Sequence, residues 1–131
     1  MEVIFDSSQQ VFHLRNQKLS YLIQLERFGY VTHLYFGQRL EHYSGIAAYP
    51  RIHRDFEVES VEFGADVRDF SVGNLLYEYS QYNRGDFRHP ALVLRHADGS
   101  TVSDFRYDRH EIVAGSPILE GLANADRKSV V

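Results

Sequence analysis

Cysteine and tryptophan are both missing from the chain, methionine occurs once and proline three times. Without cysteine no disulfide and no thiolate metal site can form, and nothing about the redox compartment follows. No run approaches the ~20 apolar residues of a membrane helix, and Met1-Glu2-Val3-Ile4-Phe5-Asp6-Ser7 lacks the basic start and long apolar run of a secretory signal. The sequence therefore predicts a soluble, cytoplasmic chain with no membrane partner. Excess positive charge is lacking too: 14 Lys and Arg stand against 18 Asp and Glu, a net charge of −4. That balance supplies no counterion-release drive toward nucleic acid, so no nucleic-acid partner is expected.

What is present is ordinary globular composition, 44% hydrophobic and 24% charged, which argues against disorder and fibrous classes. A length of 131 residues allows one core. Nine Tyr and nine Phe favour strands over helices. No amphipathic stretch of helical period and no internal repeat is found. These features predict an all-β chain, an antiparallel β-sandwich.

Taken in order, Val3-Ile4-Phe5 is a short apolar run ended by the turn-forming Asp6-Ser7-Ser8. Val11-Phe12-His13-Leu14-Arg15 reads as a strand, Asn16-Gln17 as its turn, and Leu19, Tyr21, Ile23 and Leu25 alternate with polar neighbours except at Leu22. Period two over this length predicts a half-buried strand. After Gly29, Val31-Thr32-His33-Leu34-Tyr35-Phe36-Gly37 is a further strand bounded by glycines. Residues 38–60 lose periodicity and read as a long loop. Residues 57–63 alternate again, with Val61 and Phe63 inward. Asp98-Gly99, between Leu92-Val93-Leu94-Arg95-His96 and the alternating residues 101–112, predicts a hairpin closed by a primed two-residue turn.

Three motifs carry candidate chemistry. Arg84-Gly85-Asp86 matches a cell-adhesion tripeptide but is read as a tight turn entering a strand. On a strand, even spacing would put Asp104, Asp108 and His110 on one face, where a metal is geometrically conceivable. No second ligand cluster supports it, a solvated polar face is the simpler reading, and neither metal nor cofactor is expected. Aromatic residues invite stacking on sugar rings. Tyr21, Tyr35, Phe105 and Tyr107 are read as core-facing, which leaves Tyr43, Tyr49 and Phe56 in the loop as contacts for a ligand or partner.

The succession His33-Leu34-Tyr35-Phe36-Gly37, Tyr77-Glu78-Tyr79-Ser80-Gln81-Tyr82, Gly85-Asp86-Phe87-Arg88, Pro90-Ala91, Asp98-Gly99-Ser100, Asp104-Phe105-Arg106-Tyr107, His110-Glu111-Ile112, Gly115, Pro117 and Leu119-Glu120-Gly121-Leu122 resembles the N-terminal domain of the family 36 α-galactosidases. The resemblance implies part of a β-supersandwich that precedes a catalytic (β/α)8 barrel, in an enzyme removing terminal α-galactose from oligosaccharides. The family's two catalytic aspartates belong to the barrel and match no position here, so no catalytic residue is assigned. Asp86, Phe87, Arg88, Asp98 and Gly99 are assigned as structural signature residues. Ser80 departs from the family's usual proline, and Ala123 begins a tail unlike the family. Residues 1–122 are thus expected to form an incomplete sandwich domain, with 123–131 a tail of uncertain origin.

Incompleteness predicts exposed sheet edges and self-association. The barrel and neighbouring subunits are the expected partners, with Tyr49, Arg51 and Phe56 as subunit or sugar contacts. The alternative is a free-standing module that binds galactosides.

Overall fold

The computed structural model describes residues 2–43, 63–64, 67, 70–82, 86–113 and 121. Four strands, β1 (Glu2–Asp6), β2 (Val11–Arg15), β3 (Leu19–Leu25) and β4 (Val31–Gln38), form one antiparallel meander in that order. The described residues contain no α-helix, only short 3-10 turns at Arg27–Gly29, at Phe63 and at Val72–Asn74. The all-β class is borne out, and no helix among them is long and apolar enough to cross a membrane.

Local polar chemistry sets the first two turns. Asp6 Oδ1 accepts from Ser8 N, Ser8 Oγ and Gln9 N at 2.9, 2.6 and 3.1 Å. These bonds hold the Asp6 carboxyl below its ordinary pKa. Asn16 Oδ1 accepts from Lys18 N and Leu19 N, both at 2.8 Å, the side-chain mimicry of a turn for which Asn is favoured. Register then follows: Phe5 faces Phe12, Phe12 faces Ile23, and Tyr21 faces Phe36. A bulge opposite Leu22 and Ile23 leaves Leu34 as the extra residue of β4. Beyond β4 the sheet gains one antiparallel bridge, Thr32 to Tyr77, with His33 N donating to Leu76 O at 2.7 Å and Glu78 N to Val31 O at 3.1 Å.

The alternation in β3 is real, but its deepest burial falls on the unexpected face. Ser20 and Leu22 are fully buried and Gln24 nearly so, whereas Tyr21 and Ile23 are half-buried and Leu19 is exposed. The register places His13, Leu22, Gln24 and Thr32 on that deeper side. A separate aromatic core of Tyr30, Phe70, Val72 and Leu75 gathers Phe28, Phe63, Val67 and Tyr77 beside the β3–β4 loop.

Three expectations are corrected. Phe63 lies in a 3-10 turn instead of a strand, although its ring stacks on Phe28 at 4.4 Å in the core; residues 57–62 lie outside the described residues. Phe105 is not core-facing but 38% exposed. Asp98-Gly99 does turn the chain, with Gly99 N donating to His96 O and His96 N to Ser100 O, both at 2.9 Å. That frame is a three-residue loop with Gly99 alone at positive φ (+87°), and Asp98 does not share it, so the primed two-residue turn is absent. Its arms form no strand ladder among the described residues.

Candidate functional site

Segments 70–82 and 86–113 are tied to each other and to the sheet by three polar junctions. At the first, Asp86 is 1% exposed and its Oδ1 accepts from Arg88 Nε at 2.7 Å and from Arg88 N at 3.2 Å. The Arg88 guanidinium also donates to Leu75 O at 2.5 Å and Val72 O at 3.4 Å, and lies 4.8 Å from the Tyr77 ring centroid. One arginine thus satisfies carbonyls at and just after the Val72–Asn74 turn while neutralising a buried carboxylate. Removing either partner alone would strand the other's polar atoms. Phe87, between them, is 81% exposed.

At the second junction, the Tyr30 hydroxyl donates to Asp104 Oδ1 at 3.0 Å, and Arg106 grips Asp104 Oδ2 through Nε at 2.9 Å and Nη2 at 2.5 Å. The Arg106 guanidinium lies over the Tyr30 and Phe63 rings at 5.4 and 5.5 Å. Burial first, and the Asp104 charge second, push the Tyr30 hydroxyl pKa upward. Tyr107 N donates to Gly29 O at 2.6 Å. Gln81 brackets Phe105, donating to its carbonyl at 3.1 Å and accepting from its N–H.

The third junction joins β3, β4 and residue 78. Glu78 accepts from the Tyr21 hydroxyl through Oε2 and pairs with His33 Nδ1 through Oε1 at 2.7 Å. Burial, then the Glu78 bond and charge, raise the Tyr21 pKa to about 12. In all three junctions the carboxylate is tied to an arginine, tyrosine or histidine. Their chemistry is that of cross-linking chain segments.

The residues singled out from sequence are placed as follows. Asp86 and Arg88 meet; Asp98 Oδ1 accepts from Ser100 N at 2.9 Å, which lowers the Asp98 pKa, and Gly99 follows it in the loop. Tyr49, Arg51 and Phe56 lie outside the described residues, as do Arg84, Gly85 and the tail from 122. Asp104, Asp108 and His110 have different partners: Asp104 has Tyr30 and Arg106, Asp108 pairs with Arg109 at 3.0 Å, and His110 Nδ1 meets the Tyr107 hydroxyl at 2.7 Å. No cluster of three potential metal ligands occurs among the described residues. Sequence reading missed Tyr30, Gln81, Glu78 and His33 as junction residues. The segment 77–82 was visible as a motif, but no spacing rule links Gln81 to Phe105 or Tyr30 to Asp104.

Comparison with known proteins gives a coherent result. The glycosyl hydrolase family 36 N-terminal domain matches residues 29–128. Alpha-galactosidase AgaA of Geobacillus stearothermophilus is 42% identical over 122 residues, which is 93% of this chain and 16% of that protein. Alpha-galactosidase 1 of Pediococcus pentosaceus is 40% identical over 123 residues, 94% of this chain and 16% of that protein. Among solved structures, the GH36 alpha-galactosidase AgaB from Geobacillus stearothermophilus matches with a TM-score of 0.77 and 38% identity, over 93% of this chain and 16% of that one. The chain spans 16% of the length of these relatives.

Proposed function

The chain belongs to the glycosyl hydrolase family 36 N-terminal domains, and from that premise we propose that it is the non-catalytic β-sandwich part of a cytoplasmic α-galactosidase. The carrying observation is the coverage: nearly all of this chain matches, yet it accounts for 16% of each relative. The proposed role is structural. The domain packs against a catalytic barrel and neighbouring subunits, and the α-galactoside is handled by the barrel.

Exposed side chains support a covering partner. Phe87 and Val93 are 81% and 60% exposed, and Leu76, Val102 and Ile112 are also exposed. Apolar surface of this extent favours burial against protein, so the chain alone is expected to self-associate. The rival role, a free-standing galactoside-binding module, draws on the exposed rings of Phe36, Tyr79 and Tyr82.

Incubation of the purified chain with a nitrophenyl α-galactoside is expected to give no turnover, and titration calorimetry with melibiose no heat. Turnover would overturn the non-catalytic reading, and saturable melibiose binding would favour the module. A monomer by size-exclusion chromatography would remove self-association.

A further inference from the structure

We propose that His13 and Ser20 form a latch, closed only while the imidazole is neutral, that holds the chain leaving β4 and opens when His13 takes up a proton. His13 Nε2 lies 2.8 Å from Ser20 Oγ, and the same oxygen accepts from Leu40 N at 2.9 Å. Ser20 is fully buried and His13 is 9% exposed. β4 ends at Gln38, so Leu40 stands two residues beyond the ladder. Its neighbours are also tied back over the β2–β3 hairpin: Arg39 N donates to Lys18 O at 2.8 Å and Arg15 Nη1 to Glu41 O at 3.3 Å.

Proton accounting fixes the closed state. A serine hydroxyl has one proton to donate and lone pairs to accept. Since Leu40 N already donates to Ser20 Oγ, the serine hydroxyl, the Leu40 N–H and His13 Nε2 are all satisfied when Ser20 donates to an unprotonated His13 Nε2. The imidazole then carries its proton on Nδ1. When Nε2 is protonated it must donate to Ser20 Oγ instead, and the serine's own proton needs a new acceptor. Among the described residues the Ser20 hydroxyl has no third hydrogen-bond partner. An orphaned donor in a buried position is costly, and withdrawal of the Leu40 segment relieves it by admitting water, which accepts the serine proton and also satisfies the released Leu40 N–H.

The charges around His13 act in the same direction. Burial is the largest influence and depresses its pKa; Arg15 on β2 and Arg39 beyond β4 add to this, and Glu2 on β1 opposes. Glu2 is itself paired with Arg15 at 2.7 Å. The residues facing His13 across the ladders, Ile4 and Leu22, are apolar. A histidine with a depressed folded pKa contributes stability that is intact above its unfolded value of about 6.5 and is lost as pH falls from there through the folded value.

Amide hydrogen exchange of the intact chain, with NMR of the His13 ring nitrogens, tests the latch from about pH 7.5 to about pH 4.5. The neutral ring should be the Nδ1–H tautomer. Leu40 protection, corrected for intrinsic exchange, should fall roughly tenfold through the His13 midpoint, while Ile23, paired with Phe12 in the β2–β3 ladder, keeps its protection. His13→Gln supplies an acceptor oxygen without a titration and should hold Leu40 protection flat. An Nε2–H neutral tautomer, or Leu40 protection unchanged through the midpoint, would overturn the latch. So would an equal fall in His13→Gln; if that variant does not fold, the wild-type tautomer and protection decide.

Discussion

Residues 26–30 and 96–100 close through the same pair of backbone hydrogen bonds, although Phe28 (φ +61°) joins Gly29 in the left-handed region and Asp98 does not join Gly99. In one, Gly29 N donates to Glu26 O at 3.1 Å and Glu26 N to Tyr30 O at 2.7 Å; in the other, Gly99 N donates to His96 O and His96 N to Ser100 O, both at 2.9 Å. Each has glycine at the third loop position, with φ of +83° and +87°. Yet the first loop joins two ladder strands and the second joins arms without a ladder. The difference lies in what the loop residues touch. Phe28, Gly29 and Tyr30 meet Phe63 and Phe70, Tyr107 and Asp104, whereas Gly99 has nothing within 4 Å of an added Cβ. Turn chemistry closes a loop, and tertiary contact decides whether its flanks become a sheet.

The last closing position offers the largest contrast. Tyr30→Ala is expected to cost about 3–5 kcal/mol of unfolding free energy, as for other buried aromatics, because Tyr30 is 2% exposed at the centre of the aromatic core. The matching Ser100→Ala should stay within about 0.5 kcal/mol. Denaturant midpoints of the two variants would break the comparison if they came out equal.

The third position sharpens it at smaller scale. Alanine at either glycine carries a left-handed backbone cost of about 1–2 kcal/mol. At Gly29 a Cβ would also sit 3.4 Å from Tyr107 O and 3.5 Å from Arg106 Cβ. Those are ordinary van der Waals distances, so Gly29→Ala and Gly99→Ala should lower the thermal midpoint by similar amounts, and a clearly larger loss at Gly29 would show that residues 106 and 107 leave no room for a methyl group.

Alkaline titration gives the smallest signal. Tyr21 is raised to about 12 and Tyr30 is raised as well. A tyrosine whose folded pKa is raised contributes stability below its unfolded value of about 10, lost as pH rises through the folded one. Ultraviolet titration should therefore show Tyr21 and Tyr30 still protonated at about pH 11. Tyr30→Phe should remove one of these late transitions, and full ionisation of all tyrosines by that pH would refute both junctions.

Much of the sheet was legible. The bounds of β2 and β3 follow from period two and from Asn16, whose side chain bonds its own neighbours. β1 and β4 extend by one residue or so past their apolar runs, because a ladder continues wherever a partner backbone is available. The candidate junctions were legible only in part. Asp86 and Arg88 are two residues apart and stood out within a family motif, but their targets at Val72 and Leu75 lie up to 16 residues away. Alternation at 101–108 was equally visible and misled, since Phe105 is bracketed by the side chain of Gln81 instead of by a neighbouring strand.

By itself the sequence determined the all-β class, the family, and the positions of the turns at Asp6, Asn16 and Asp98, though not the type of the last. Tertiary structure alone decided which face of the sheet is buried. Alternation divides a strand into two sets of side chains but is indifferent to which set meets a cover, so the polar His13, Ser20 and Gln24 could go inside while Leu19 stayed out. It also decided the long-range pairs, Tyr30 with Asp104 and Gln81 with Phe105. Their geometry exists only after chain segments 74 and 24 residues apart have closed on each other.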